Sequence, residues 1–335
     1  MRRESARREA ATLLLSRADV RSLLTLDDAI REVERAFALH ARGEVPAPGI
    51  LGCPVAGGGF HLKSAWLPDP DRFAVKANAN FPGNPAASGL PTVQGLLLLF
   101  DGESGFPLAV MDSMEITILR TAAATAVAAK HCARENARTV TMWGAGDQAR
   151  AQVLALACVR PIRRALVYDL VRERAEGIAR ELEDAGLEAR AVEDPRAATR
   201  ESDVVVTCTP SRTPFLGRTD LAAGAFVAAV GADWPEKQEL HPELVASSAL
   251  IVDALDQCAS GGELHHALAA GLMTREGVRA ELGEVVAGKR PGRMSPDEIV
   301  IFDSTGTALQ DVAAAGLAYE RALAGGAGTH FSFSR

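Results

Sequence analysis

The chain has 335 residues, 47% hydrophobic and 24% charged, which suits two folded domains and is too apolar for a disordered segment. A net charge of −7 leaves no basic excess to neutralise nucleic-acid phosphates, so the basic "MRRESARR" reads as a chain terminus rather than a binding arm. "GLLLLF" has the length of a strand, not of a membrane span, and "ATLLLSRADV" breaks into charge too early for a secretory leader; a cytoplasmic location is expected.

In chain order, a short strand at Thr12 to Leu15 precedes two helices, for which Ser16 and Thr25 are the candidate caps. Ile30, Val33 and Phe37 recur at helical spacing and give the second helix one apolar face through about His40. Pro46, Pro48 and Gly57 to Gly59 read as loops. The pattern then alternates through "FHLKSAWL", "FAVKANANF", "TVQGLLLLFD" and "FPLAVMD", with turns at Pro68 to Asp71 and Pro82 to Gly89. That is the signature of an antiparallel sheet. The alanine-rich helix "EITILRTAAATAVAAKHCA" closes this block. From Thr139 short β-branched runs ("TVTMW", "ALVYD", "VVVTCT", "FVAAVG", "LIVDA") alternate with helical segments, which predicts a parallel sheet covered on both faces. "IVIFDS" is a further strand. The final helix, Ala308 to Leu323, is expected to pack on the first domain with an apolar face and no catalytic pattern. The five cysteines are scattered without metal-ligand spacing, so neither disulfides nor a metal site are expected.

The first strand of the parallel block runs into "WGAGDQARAQVLALA", in which Gly144, Gly146 and Ala149 fit G-x-G-x-x-A at the opening of a helix. Gly144 permits the tight turn, Gly146 lets backbone approach a pyrophosphate, and Ala149 allows close helix–strand packing. The helix amino terminus offers free N–H groups to phosphate. The next strand ends at Asp169, near the distance expected for a carboxylate that binds a ribose 2′-hydroxyl and repels a 2′-phosphate. NAD(H) is therefore favoured, with NADP(H) as the alternative because Arg172 and Arg174 lie nearby. "TCTP" (Thr207 to Pro210) and "VGADW" (Val230 to Trp234) should stand at the carboxyl edge of the sheet, where ligands bind in open α/β folds. The candidate cofactor contacts are Gly144, Ala145, Gly146, Gln148, Asp169, Thr209, Pro210, Val230 and Ser304.

Several segments together, "LRTAAATAVAAK", "GAGDQAR", "VGADWPEKQEL", "AELGEVVAGKRPGR" and "IFDSTGTALQD", resemble the ornithine cyclodeaminase and mu-crystallin family over nearly the whole chain. The resemblance implies a Rossmann-type doubly wound parallel sheet at residues 128–308. It also implies an α+β substrate-binding and dimerisation domain made of residues 1–127 and 309–335. It further implies a homodimer, a nicotinamide cofactor on each subunit, and hydride transfer to or from small α-amino and α-imino acids.

Carried over by matching residues, Lys76 in "FAVKANANFPGNP" corresponds to a strand lysine that holds the substrate carboxylate near the reacting carbon. Arg120 in "LRTAA" corresponds to an arginine that clamps the same carboxylate, a task suited to its bidentate geometry. Thr92 corresponds to a threonine near nicotinamide and substrate. Asp233 corresponds to the aspartate that receives the α-amino group and manages its proton, and Lys237 follows it as in the cyclodeaminase. Two departures stand out. "VPAPGILGCPV" lacks the cyclodeaminase's additional arginine, and Lys63 replaces a pocket glutamate that would suit an ornithine ammonium. A lysine there repels a second ammonium and is free to take a second carboxylate. The leading expectation is thus NAD(P)H-dependent reduction of a small or dicarboxylic α-imino acid, of iminosuccinate or alanine-dehydrogenase type. Cyclodeamination of ornithine to proline is the alternative, and a non-catalytic NAD(P)-binding protein the second. No nucleic-acid or membrane partner is expected.

Overall fold

The computed structural model describes residues 11–333, and the basic "MRRESARR" lies outside them. The chain divides into two compact units: one runs through Arg120 and resumes at Thr307, and the other is Thr121–Gly306.

In the first unit, β1 (Thr12–Leu15) leads into α1 (Arg17–Leu23) and α2 (Leu26–Ala41). Both helices begin with reciprocal caps, Ser16 with Asp19 and Thr25 with Asp28, each satisfying orphan N–H groups at the helix start. Next come β2 (Gly49–Val55), β3 (Gly58–Pro68), β4 (Asp71–Asn80), β5 (Val93–Asp101) and β6 (Pro107–Asp112). The last strand of the chain, Thr329–Phe331, completes a seven-stranded sheet in the order last strand–β1–β6–β5–β4–β3–β2. The stretch from Pro46 to Gly59 is therefore not all loop. Gly57, at φ +81°, turns β2 into β3, and Gly58 and Gly59 already belong to β3. Pro54 and the glycines of β2 mask it in the sequence, yet a proline is tolerated on an edge strand.

Register assigns the faces of this sheet. Lys63 pairs with Lys76, Lys76 with Leu97, and Leu97 with Met111, so these side chains share one face, with Ala65, Ala74 and Leu99 also on it. All are buried. The carboxyl-terminal helix, Ala308–Gly325, packs on β3, β4 and α2, and Gly326 ends it in the left-handed region. Arg321 of that helix pairs with Asp28 of α2. After β6 comes α3 (Ser113–Cys132), whose first turn is capped by Asp112 accepting from the N–H groups of Met114 and Glu115. The boundary between the units falls inside α3.

The second unit contains β7 (Thr139–Trp143), α4 (Ala149–Val159), β8 (Arg164–Tyr168), β9 (Glu188–Ala191), β10 (Val204–Thr207), β11 (Phe226–Ala229), β12 (Ala249–Val252), β13 (Ala280–Glu281) and β14 (Val300–Asp303). They form an all-parallel sheet in the order β13-β12-β14-β11-β10-β7-β8-β9. This is a doubly wound Rossmann-type sheet, and its strand order reverses between β7 and β10. The central strands β10, β11, β12 and β14 are buried throughout, which is why they read as continuous β-branched runs. Among the described residues no helix is long and apolar enough to cross a membrane.

Candidate active site

The shared face of β3 and β4 brings three cations around one acid in the first unit. Lys76 Nζ lies 2.8 Å from Asp311 Oδ1 and donates to it, and Arg120 Nε lies 3.0 Å from the same oxygen. Arg120 Nη1 also donates to Gln310 Oε1 at 2.8 Å. Lys76 Nζ lies 3.5 Å from Thr117 Oγ1, one helical turn before Arg120 on α3. Lys63, the cross-strand partner of Lys76, is buried beside them. Burial pushes the Asp311 carboxyl up, but Lys76 and Arg120, helped by Lys63, outweigh it and hold the group below the usual carboxylate range. For Lys76, burial comes first, and with the neighbouring charges of Arg120 and Lys63 it draws the ammonium down to about 7 despite Asp311. A lysine titrating there can give or take a proton near neutrality.

The final helix therefore carries more than the apolar face read from its sequence: Gln310 and Asp311 meet the cations at its amino-terminal turn. They stand at the end of the quoted "IFDSTGTALQD", but polar residues at the start of a helix suggest capping, and only the folded chain brings them to β4 and α3. Thr92, in contrast, is not among this group. It precedes β5, five positions before Leu97, or about 16 Å along the strand.

The nucleotide candidates of the second unit gather at the carboxyl edge of its sheet. Gly144 follows β7 with φ +98°, and a Cβ there would sit 2.5 Å from the Cys208 carbonyl oxygen after β10. Only glycine fits this junction, which lies at the reversal in strand order. A Cβ on Gly146 would meet nothing within 4 Å, leaving open space against its backbone, and Ala149 is fully buried at the start of α4. Asp169, just after β8, accepts from the Ala145 N–H at 2.8 Å and from the Val171 N–H at 2.8 Å, one bond to each oxygen. Lone pairs remain on both oxygens for ribose hydroxyls. Gln148 precedes α4. Thr209 and Pro210 follow β10, Val230 follows β11, and Ser304 follows β14. A glycine turn, an open backbone cradle, a helix start and a strand-end carboxylate fit a dinucleotide.

Two buried acids outside the expected set build this edge. Glu239 accepts from Thr207 Oγ1, Thr209 N, Thr209 Oγ1 and Gly231 N at 2.6–2.9 Å, tying the ends of β10 and β11 together. Burial raises its carboxyl, and those hydrogen bonds pull the other way. Asp253 accepts from Gly306 N at 2.6 Å and Thr305 Oγ1 at 3.0 Å, fixing the turn after Ser304. Asp233, beyond β11, is partly exposed and paired with Lys237 at 2.6 Å. Burial draws the Lys237 ammonium down, but Asp233 outweighs that and raises it overall.

The second unit's doubly wound sheet, with its glycine turn and strand-end carboxylate, is of the dinucleotide-binding class, and the first unit clusters buried cations. The chain belongs to the ornithine cyclodeaminase/mu-crystallin family, whose model matches residues 10–326. An archaeal alanine dehydrogenase, solved as a dimer with bound NAD, is 40% identical with a TM-score of 0.92, covering 96% of this chain and 99% of its own. The Thermococcus litoralis Δ1-pyrroline-2-carboxylate reductase, solved with NADH and L-proline, is 36% identical with a TM-score of 0.91, covering 95% and 99%. The Paracoccus denitrificans iminosuccinate reductase, solved with NAD+, is 32% identical with a TM-score of 0.89, covering 96% and 100%.

Proposed function

We propose that this protein is an NAD(H)-dependent oxidoreductase that reduces a small or dicarboxylic α-imino acid to the amino acid. The observation that carries this reading is the cation cluster: Lys63, Lys76 and Arg120 are all buried, and Lys76 and Arg120 converge on a single oxygen of Asp311. Such an excess of positive charge calls for anionic groups on the substrate.

NAD(H) bound along Gly144, Ala145, Gly146 and Asp169 would supply the hydride. Asp169 favours a free 2′-hydroxyl, and Arg172 supports NAD(H) over NADP(H), since it is engaged by Glu176 and Glu193. Lys76 and Arg120 take the substrate carboxylate and thereby fix which face of the imine carbon is presented. Asp233 pairs with the iminium and exchanges its proton, with Lys237 holding the carboxylate in place. Lys63 takes a second carboxylate where the substrate has one. A diamino acid such as ornithine would bring a further ammonium to three cations, which disfavours cyclodeamination.

The family relationship and the alanine dehydrogenase dimer support a homodimer. The outer face of the seven-stranded sheet exposes Leu51, Val55, Phe60, Phe73, Leu96 and Leu98, at 36–58%, and this is the surface a second copy would cover. The reading is tested by NADH oxidation with keto acids plus ammonium.

A further inference from the structure

We propose that Asp311 is the positioning residue of the carboxylate clamp: a single oxygen bridges the Lys76 ammonium and the Arg120 guanidinium and fixes the separation of two like charges. The proposal rests on the reading of Lys76 and Arg120 as carboxylate ligands.

Both contacts, at 2.8 and 3.0 Å, end on Oδ1, and the neighbouring Gln310 holds another edge of the same guanidinium at 2.8 Å. Two consecutive residues of the carboxyl-terminal helix thus set the position of one cation from β4 and one from α3. Asp311 and Gln310 are buried, at 1% and 0% exposure, so water does not screen these contacts. Among the described residues Gln310 Nε2 is a buried donor without a hydrogen-bond partner, which a bound carboxylate oxygen satisfies.

The other charged groups around this helix are occupied elsewhere. Asp28 of α2 pairs with Arg321 and Arg31, and Glu32 with Arg35 and Arg31. Glu115 of α3 pairs with Arg21 of α1, and Arg72 of β4 with Asp101 of β5. Lys63 and His61 share one face of β3, β5 presents Leu97 and Leu99 on the same face of the sheet, and Tyr319 and Glu320 lie further along the helix itself. Asp311 is the acid in contact with Lys76, and it opposes the loss of charge that burial and Arg120 impose on that ammonium.

The test measures succinate binding by calorimetry to the NAD-loaded protein between pH 5.5 and 9, beside the pH profile of kcat/KM. In the wild type, affinity breaks downward as Lys76 loses its proton, at about pH 7 before the ligand's own charge moves it. Asp311→Asn moves that break at least one pH unit towards acid, lowering affinity about tenfold at a fixed pH above it. Lys63→Met moves it towards alkali, because a repelling cation is gone. Should Asp311→Asn fold poorly, Lys63→Met/Asp311→Asn removes one cation with the anion and keeps the cluster's net charge. Its break lies acid of Lys63→Met alone. A folded Asp311→Asn, or the double variant against its parent, with an unmoved break overturns the proposal and leaves Asp311 a packing residue. A wild type that binds no succinate at any pH overturns the carboxylate reading itself, and this inference with it.

Discussion

Lys63 and Lys76 are register partners on adjacent antiparallel strands, and both are buried, at 7% and 3% exposure. Like charges directly opposite one another destabilise a sheet, so this pairing persists because Asp311 compensates it from the helix above. Lys63→Glu reverses the sign opposite Lys76. For a dicarboxylic substrate, KM rises at least tenfold, while a monocarboxylic substrate changes less. An unchanged KM for the dicarboxylate removes Lys63 from the list of substrate ligands.

Lys76 sets the pH behaviour. Its ammonium titrates at about 7 in the folded protein against an ordinary lysine value of 10.5, so the folded form releases its proton first as pH rises. Between those values the unfolded chain binds more protons, and this group's contribution to stability increases with pH across that window. Carboxylate binding has the opposite sense: kcat/KM is highest where Lys76 is charged and declines above about pH 7. A profile flat from pH 6 to 9 contradicts the assignment.

Asp169 holds the loop after β7 through the Ala145 N–H and has capacity left for a ribose. Asp169→Ser should weaken NADH roughly tenfold and narrow any preference over NADPH. Fluorescence titration with both cofactors measures the two effects separately.

Glu239 receives four hydrogen bonds in the interior. In Glu239→Gln the new amide turns a donor towards donors, costing about 2–4 kcal/mol for the groups left unmet. Differential scanning fluorimetry should show a lower Tm, and NADH affinity should fall because the loops after β10 and β11 lose their tie. A variant with unchanged Tm and affinity would show that these loops hold themselves.

Leu96, 54% exposed on the outer face of the sheet, is remote in register from the buried cations because its side chain points the other way. Leu96→Glu is expected to halve the molecular mass in sedimentation equilibrium without unfolding the chain. A mass unaffected by that change contradicts a dimer contact on this face.

The two sheets were largely legible because their physics is local. Alternation marks β3 to β6, β-branched runs mark β7, β8 and the central parallel strands, and Ser16 and Thr25 announce their helices. The strands that escaped, β2, β9, β13 and the last, are edge or very short strands, where proline, glycine and charge are tolerated and periodicity is weak. Lys63, Lys76, Arg120 and Asp233 could be singled out because each sits in a recognisable segment. Asp311, Gln310, Glu239 and Asp253 could not. Their function is a contact across more than 20 residues of sequence, and a carboxylate that holds other side chains leaves no spacing of its own.

The most direct test of the central claim is a spectrophotometric panel of NADH oxidation, with oxaloacetate or pyruvate plus ammonium, and of NAD reduction by the corresponding amino acids, with L-ornithine assayed in parallel for ammonia release. The account predicts ammonium-dependent oxidation of NADH with a keto acid, most efficiently with a small or dicarboxylic one. Ammonia release from ornithine without net change in NADH, and no turnover of the keto acids, would contradict it.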